Sequence, residues 1–79
     1  MVVDVWKMDL DAFGDPNWGR TINGKYYELR IFPAEKGWGL VLFTATSKYD
    51  TSPSRRILKK GLSRDDIIKF AKEYIKKHG

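Results

Sequence analysis

Two runs of strand-forming residues, Tyr26-Tyr27-Glu28-Leu29-Arg30-Ile31-Phe32 and Trp38-Gly39-Leu40-Val41-Leu42-Phe43, are separated only by Pro33-Ala34-Glu35-Lys36-Gly37. A connection that short forces the two runs to fold back on each other as an antiparallel hairpin. Everything else in the chain has to be placed around that hairpin. Upstream, Asn23-Gly24 sits between strand-like segments, and both residue types tolerate the positive φ of a type I′ turn. This predicts a strand over about 18–22, paired with 25–32, whose other edge pairs with 38–47. The result is a meander.

Side chains alternate across a strand, so the central run has two faces. Tyr27, Leu29 and Ile31 form a core set. Tyr26, Glu28, Arg30 and Phe32 mix aromatics with charges and suit a solvated or ligand-contacting face. In the next strand both sets are apolar: Val41, Phe43 and Ala45 on one side, Trp38, Leu40, Leu42 and Thr44 on the other. Either set can point inward. The remaining one is available as an oligomer interface or as a seat for the N-terminal strand.

Val2 to Leu10 alternates imperfectly and is read as a further strand. Asp11 to Asn17 is rich in Gly, Pro and Asp and forms a loop. Its acids lack the ligand spacing and closing glutamate of a calcium loop, so they belong to a plain surface turn. Ser47 to Pro53 is a polar loop. Ser54-Arg55-Arg56-Ile57-Leu58-Lys59-Lys60 then forms a basic edge strand, and Gly61 turns the chain into a helix. Basic residues on an exposed edge also serve to repel strand addition by other chains.

The helix is announced by Ser63 as N-cap with Asp66 three residues on, and Asp65 and Asp66 favour the positive end of the helix dipole. Ile67, Ile68, Phe70, Ala71, Tyr74 and Ile75 cluster on one side at helical spacing, an arc of roughly 160° that covers one face of a small sheet. Lys69, Lys72 and Lys76 lie opposite, where ordinary solvation accounts for them. The expected architecture is therefore α+β: a single domain over residues 1–79, with an antiparallel meander sheet of four to five strands over about 2–60. One C-terminal amphipathic helix, about 63–78, packs on one face.

The side-chain inventory excludes several classes of function. There is no cysteine, hence no disulfide framework and no thiolate metal site. His78 is the single histidine and lies beside the chain end, a poor position for a general base or a metal ligand. The serines lie in loops or at a cap with no activating base in view, and the glycines are scattered turn residues rather than a phosphate-cradling loop. An enzyme, a cofactor and a bound metal are all unexpected. No apolar run approaches membrane-spanning length, and Asp4 interrupts the apolar start, so a cytoplasmic protein without membrane contact is expected. Many lysines, no glutamine and two asparagines lean towards a heat-adapted source.

The net charge of +5 is unevenly distributed. Residues 1–50 sum to −1 and residues 51–79 to +6. Such asymmetry suits a polyanionic partner, although it also serves solubility. Aromatic residues interleave with basic ones along the sheet. Tyr26, Phe32, Trp38, Trp18 and Tyr49 offer flat surfaces for base stacking. Arg20, Lys25, Arg30, Arg55, Arg56, Lys59 and Lys60 offer phosphate contacts. That combination is a platform for single-stranded nucleic acid, DNA in preference to RNA.

The passage from Trp38-Gly39-Leu40-Val41-Leu42-Phe43 through Pro53 to Arg55-Arg56-Ile57-Leu58-Lys59-Lys60-Gly61-Leu62-Ser63 and a single helix resembles the single-stranded-DNA-binding domain of the positive-cofactor transcriptional coactivator family. The likeness covers about residues 24–77. It implies a curved sheet followed by one helix, dimerisation through the helices, and melted DNA held across the sheets. Lys25, Arg30, Arg55, Arg56, Lys59 and Lys60 would then face the backbone, and Trp38 would stack. The near-neutral first half departs from that family's uniformly basic platform. A second likeness is to the plant-type AP2 domain, with Trp18-Gly19-Arg20 and Tyr27-Glu28-Leu29-Arg30 where that family's sheet meets duplex DNA. The alternative to nucleic acid is a protein-interaction module or inhibitor acting through an apolar sheet face, as a homodimer or with another protein. Its basis is the surplus of apolar side chains in the third strand.

Overall fold

The computed structural model describes residues 5–46 and 52–78. Val2 to Asp4 of the expected first strand, and Tyr49 in the polar loop, lie outside the described residues. Five strands, β1 (Lys7–Leu10), β2 (Pro16–Ile22), β3 (Lys25–Pro33), β4 (Trp38–Ala45) and β5 (Ser54–Leu62), precede one helix, α1 (Arg64–His78). They form one antiparallel sheet in the order β1-β2-β3-β4-β5, the expected meander.

Local chemistry sets each turn. Asn23 and Gly24 both take positive φ, 51° and 81°, which matches the right-handed twist of the flanking strands. Between β1 and β2 the Asp11 carboxylate accepts the N–H groups of Phe13 and Asp15, at 2.8 and 3.0 Å, and closes a tight turn. The Asp11 carboxylate is thus engaged with its own backbone, whereas that of Asp15 accepts from Arg64.

Helix α1 starts where its cap predicts. Ser63 Oγ accepts the Asp66 N–H at 3.2 Å, and the Ser63 carbonyl accepts the Ile67 N–H at 2.9 Å. Its apolar stripe packs across β3, β4 and β5, with Ile67 and Ala71 fully buried. They meet Trp18, Leu29, Ile31 and Leu40 in the core, flanked by Trp6, Trp38, Leu42, Leu58, Leu62 and Tyr74. Burying a side chain such as Leu29, Leu40 or Ile67 completely stabilises the fold by about 1.5–3 kcal/mol each, so these few residues carry much of a small core.

Register decides what the sequence left open in β4. Pro33 opposes Trp38, so Ile31 opposes Leu40 and Leu29 opposes Leu42. Directly paired residues share a face. Trp38, Leu40, Leu42 and Thr44 therefore lie on the helix side, and Val41, Phe43 and Ala45 lie on the other.

Strand β5 is longer than expected and irregular. Lys59 opposes Leu40 and Ile57 opposes Val41, which leaves Leu58 as an extra residue. Lys60 opposes Gly39 and Leu62 opposes Trp38, which leaves Gly61 as a second. Gly61 is part of the strand rather than a turn after it, with φ at 88°. These two bulges bend the strand and re-aim its side chains, so that Leu58 and Leu62 reach the core while Ile57 and Lys60 stay on the opposite face.

Candidate nucleic-acid interface

Among the described residues, the helix covers one side of the sheet and no element covers the other. Rows of residues cross this free face. Thr21, Tyr26 and Ala45 form one row; Lys7, Gly19, Glu28, Phe43 and Arg55 form the next. Asp9, Asn17, Arg30, Val41 and Ile57 form a third, and Phe32, Gly39 and Lys60 a fourth. The face is chemically divided. Its β4–β5 half is an apolar cleft of Phe32, Val41, Phe43 and Ile57, edged by Arg55, and Lys60 stands where the cleft continues past Phe32. Its β1–β3 half is a polar cup that includes Asp9, Asn17, Thr21, Tyr26, Glu28 and Arg30.

Two glycines shape the surface. Phe32 leans onto Gly39 directly opposite, so a Cβ there would collide with Phe32 Cζ and stand 2.7 Å from Cε1. Tyr26 leans diagonally onto Gly19, where a Cβ would collide with the phenol oxygen and stand 3.0 Å from Cζ. Each ring thus lies close against bare backbone, an arrangement that shields the glycine and keeps the aromatic low on the sheet. Six residues of extended strand, roughly 20 Å, separate the backbone positions of Tyr26 and Phe32.

The polar half is tied together around Glu28. The Tyr26 hydroxyl donates to Glu28 Oε1 at 3.0 Å, and Arg30 Nε donates to Glu28 Oε2 in a close ion pair. The Tyr26 phenol is pushed up to about 12. Its partial burial contributes most, followed by the hydrogen bond to Glu28 and the charge of Glu28, with Asp9 adding a further upward push and Arg30 opposing. Tyr26 therefore remains a neutral donor far above neutral pH.

The ten candidate residues separate into two groups. Tyr26, Arg30, Phe32, Arg55 and Lys60 share the free face. Arg20, Lys25, Trp38, Arg56 and Lys59 have the register parity of the helix side. Of these, Lys25, Arg56 and Lys59 are exposed at the sheet's margins. Arg20 is a correction: it is only 4 % exposed, its Nη1 donates to the His78 carbonyl at 2.8 Å, and its guanidinium stands 5.3 Å from the Trp6 ring centre. It fastens the end of α1 to β2. Trp38 is the second correction: it pairs with Leu62 beside α1, beneath the Arg64 guanidinium, which also donates to Asp15 at 3.0 Å. Trp18 is buried in the core.

Phe43 and Ile57 join the face although the sequence did not single them out as contacts. The length of the 34–37 loop carried the missing signal for Phe43, because closing the hairpin at Pro33 and Trp38 sets Phe43 opposite Glu28. Ile57 depended on the bulge at Leu58, which alternation alone cannot supply.

Among the described residues there is no group of three histidine, cysteine, aspartate or glutamate side chains that could hold a metal ion, and no helix long and apolar enough to cross a membrane. Comparison with protein-family models, with curated proteins and with solved structures returned no match. What fold and face define together is an α+β meander domain with one sheet surface covered by its helix and the other, among the described residues, covered by no element.

Proposed function

We propose that the open sheet face binds single-stranded nucleic acid, DNA in the first instance. The observation that carries this reading is the pair of aromatic rings lying on glycines, Tyr26 on Gly19 and Phe32 on Gly39, on the same face as Arg30, Arg55 and Lys60. Bases stack on aromatic surfaces regardless of sequence, and the cations meet the phosphates between them. The roughly 20 Å of strand from Tyr26 to Phe32 matches a few nucleotides of extended strand. A duplex keeps its bases inside and cannot use such rings. Of the acidic residues near this face, Glu28 is engaged by Arg30 and Tyr26 and Asp11 by its own turn, while Asp9 is exposed at the β1 end.

The apolar cleft favours a second reading, a protein-interaction surface, because Ile57 is 51 % exposed beside Phe32, Val41 and Phe43. Charge weighs against a second copy of the chain there, since Arg30, Arg55 and Lys60 would be buried with their own counterparts.

The test is fluorescence anisotropy of an end-labelled thymidine oligomer, with duplex of the same length as control. Tryptophan fluorescence is the wrong reporter, because Trp6, Trp18 and Trp38 all belong to the helix-side core. Saturable binding that prefers the single strand, and that is lost in the Arg55→Glu/Lys60→Glu double variant with its fold intact by circular dichroism, supports the reading. No binding of either form at low salt transfers the face to a protein partner, and sedimentation at high protein concentration then asks whether that partner is a second copy.

A further inference from the structure

The polar half of the free face is more elaborate than a non-specific strand binder needs. Stacking and backbone charge require only rings and cations. Here Asp9 opposes Asn17 and Asn17 opposes Arg30, so a carboxylate, a carboxamide and a guanidinium form one row across β1, β2 and β3. The adjacent row contains Gly19, over which the Tyr26 ring leans. A base stacked on Tyr26 therefore has its edge beside the Asp9–Asn17–Arg30 row.

That row has an order: acceptors at the β1 end, donors at the β3 end. Asp9 is acceptor-only when ionised and Arg30 is donor-only, while Asn17 between them carries both an amide oxygen and an NH2, so that with its oxygen turned to the ligand the row reads acceptor, acceptor, donor. Arg30 gives its Nε to Glu28 and has further N–H groups on its guanidinium. Asp9 is exposed, and its Oδ1 accepts the Leu10 N–H at 2.9 Å, which orients the carboxylate on the strand. Glu28 is the brace of the cup. Its side chain is only 16 % exposed, and its two oxygens are held by Tyr26 and Arg30.

A ligand edge that complements this order must present two neighbouring donors followed by an acceptor. Among the bases, guanine does so: N2–H and N1–H are donors, and O6 beside them is an acceptor. Thymine places one donor between two acceptors, and adenine has one exocyclic donor beside an acceptor nitrogen. Single-stranded bases are read on this edge because it is free of a pairing partner.

We propose that the β1–β3 end of the free face is a guanine-reading pocket, in which the base stacks on Tyr26 while Asp9 accepts from N2–H, Asn17 accepts from N1–H and Arg30 donates to O6. The proposal rests on the strand-binding reading above and adds selectivity to it. The apolar β4–β5 half takes neighbouring bases without choosing among them.

The experiment uses the full chain and four end-labelled octamers: thymidine throughout, or thymidine with one central guanine, hypoxanthine or adenine. Hypoxanthine keeps N1–H and O6 and lacks the N2 amino group. Wild-type protein should bind the guanine octamer about tenfold more tightly than the all-thymidine one, with hypoxanthine and adenine closer to thymidine. Asp9→Asn should erase the guanine preference while leaving all-thymidine binding equal or slightly tighter, because one negative charge is removed. Equal affinity for all four octamers overturns the pocket and leaves strand binding standing. Retention of the full guanine ratio in Asp9→Asn overturns the role given to that carboxylate. Failure of every octamer to bind removes both readings together. A fifth titration, free deoxyguanosine monophosphate against the all-thymidine complex, identifies the source of the base. Tight displacement by the free nucleotide overturns a site for guanine within a strand.

Discussion

At the scale of single residues, the free face depends on close approaches that only certain side chains permit. Gly19 and Gly39 have no Cβ, and that absence lets Tyr26 and Phe32 lie against the backbone. Arg20 shows the opposite case, a charged residue whose position in β2 turns it inward to the His78 carbonyl and the Trp6 ring. Tyr26 makes a pH prediction. Its proton is held more tightly in the folded protein, with the value raised from 10.0 to about 12. The folded state therefore binds more protons than the unfolded one between those values. The contribution to stability is complete below pH 10 and is lost as pH rises towards 12. In urea titrations the gap between wild type and Tyr26→Phe should narrow across that window. A gap that stays constant from pH 9 to about 12 would show that the Tyr26 proton is not linked to folding.

At the scale of elements, β5 and α1 are joined by a passage in which two residues do separable jobs. Gly61 holds φ at 88° as the extra residue of a bulge, with open space where a Cβ would stand. Gly61→Ala thus meets no steric collision and should cost about 1–2 kcal/mol through backbone strain alone. Ser63 caps the helix through Asp66 N–H, and Ser63→Ala should cost about 1 kcal/mol. Chemical denaturation distinguishes the two. Gly61→Ala should also shift the amide resonances of Lys60 and Leu62, because the bulge re-aims them, whereas Ser63→Ala should confine its shifts to the first turn of α1. Identical resonance patterns for the two variants would refute this division of labour.

At the scale of the whole molecule, the positive charge of the last third is split between two sides. Arg55 and Lys60 lie on the free face, whereas the lysines of α1 belong to the element that covers the opposite side. The domain measures 39 × 26 × 22 Å, so its thickness exceeds the screening length of about 8 Å at physiological salt. Only the cations of the free face should then be read in equilibrium binding. With Lys7, Arg30, Arg55 and Lys60 of that face meeting the phosphates of an all-thymidine strand, log K should fall with log salt at a slope of roughly −3. Lys72→Gln and Lys76→Gln should leave affinity unchanged at 150 mM salt and weaken it only near 10 mM, where screening extends to about 30 Å. A steeper slope that flattens in this double variant would place the helix lysines in the interface.

Much of this organisation was legible in the residue order. The Ser63 cap, the spacing of Ile67, Ala71 and Tyr74, the Asn23-Gly24 turn and the alternation of β3 are local signals, set by backbone conformation and by side-chain period. These determined the meander, the helix and the separation of Tyr26, Arg30 and Phe32 from Leu29 and Ile31. The parity of β4 was not local, because both of its faces are apolar, and pairing of Pro33 with Trp38 across the hairpin settled it. The inward turn of Arg20, the cover over Trp38 and the bulges at Leu58 and Gly61 likewise arise from contacts between segments far apart in the chain. The sequence by itself determined which elements form, since periodicity and capping act within a few residues. Only the tertiary structure decided which side chains share the open face, since that depends on register and on where the helix lies.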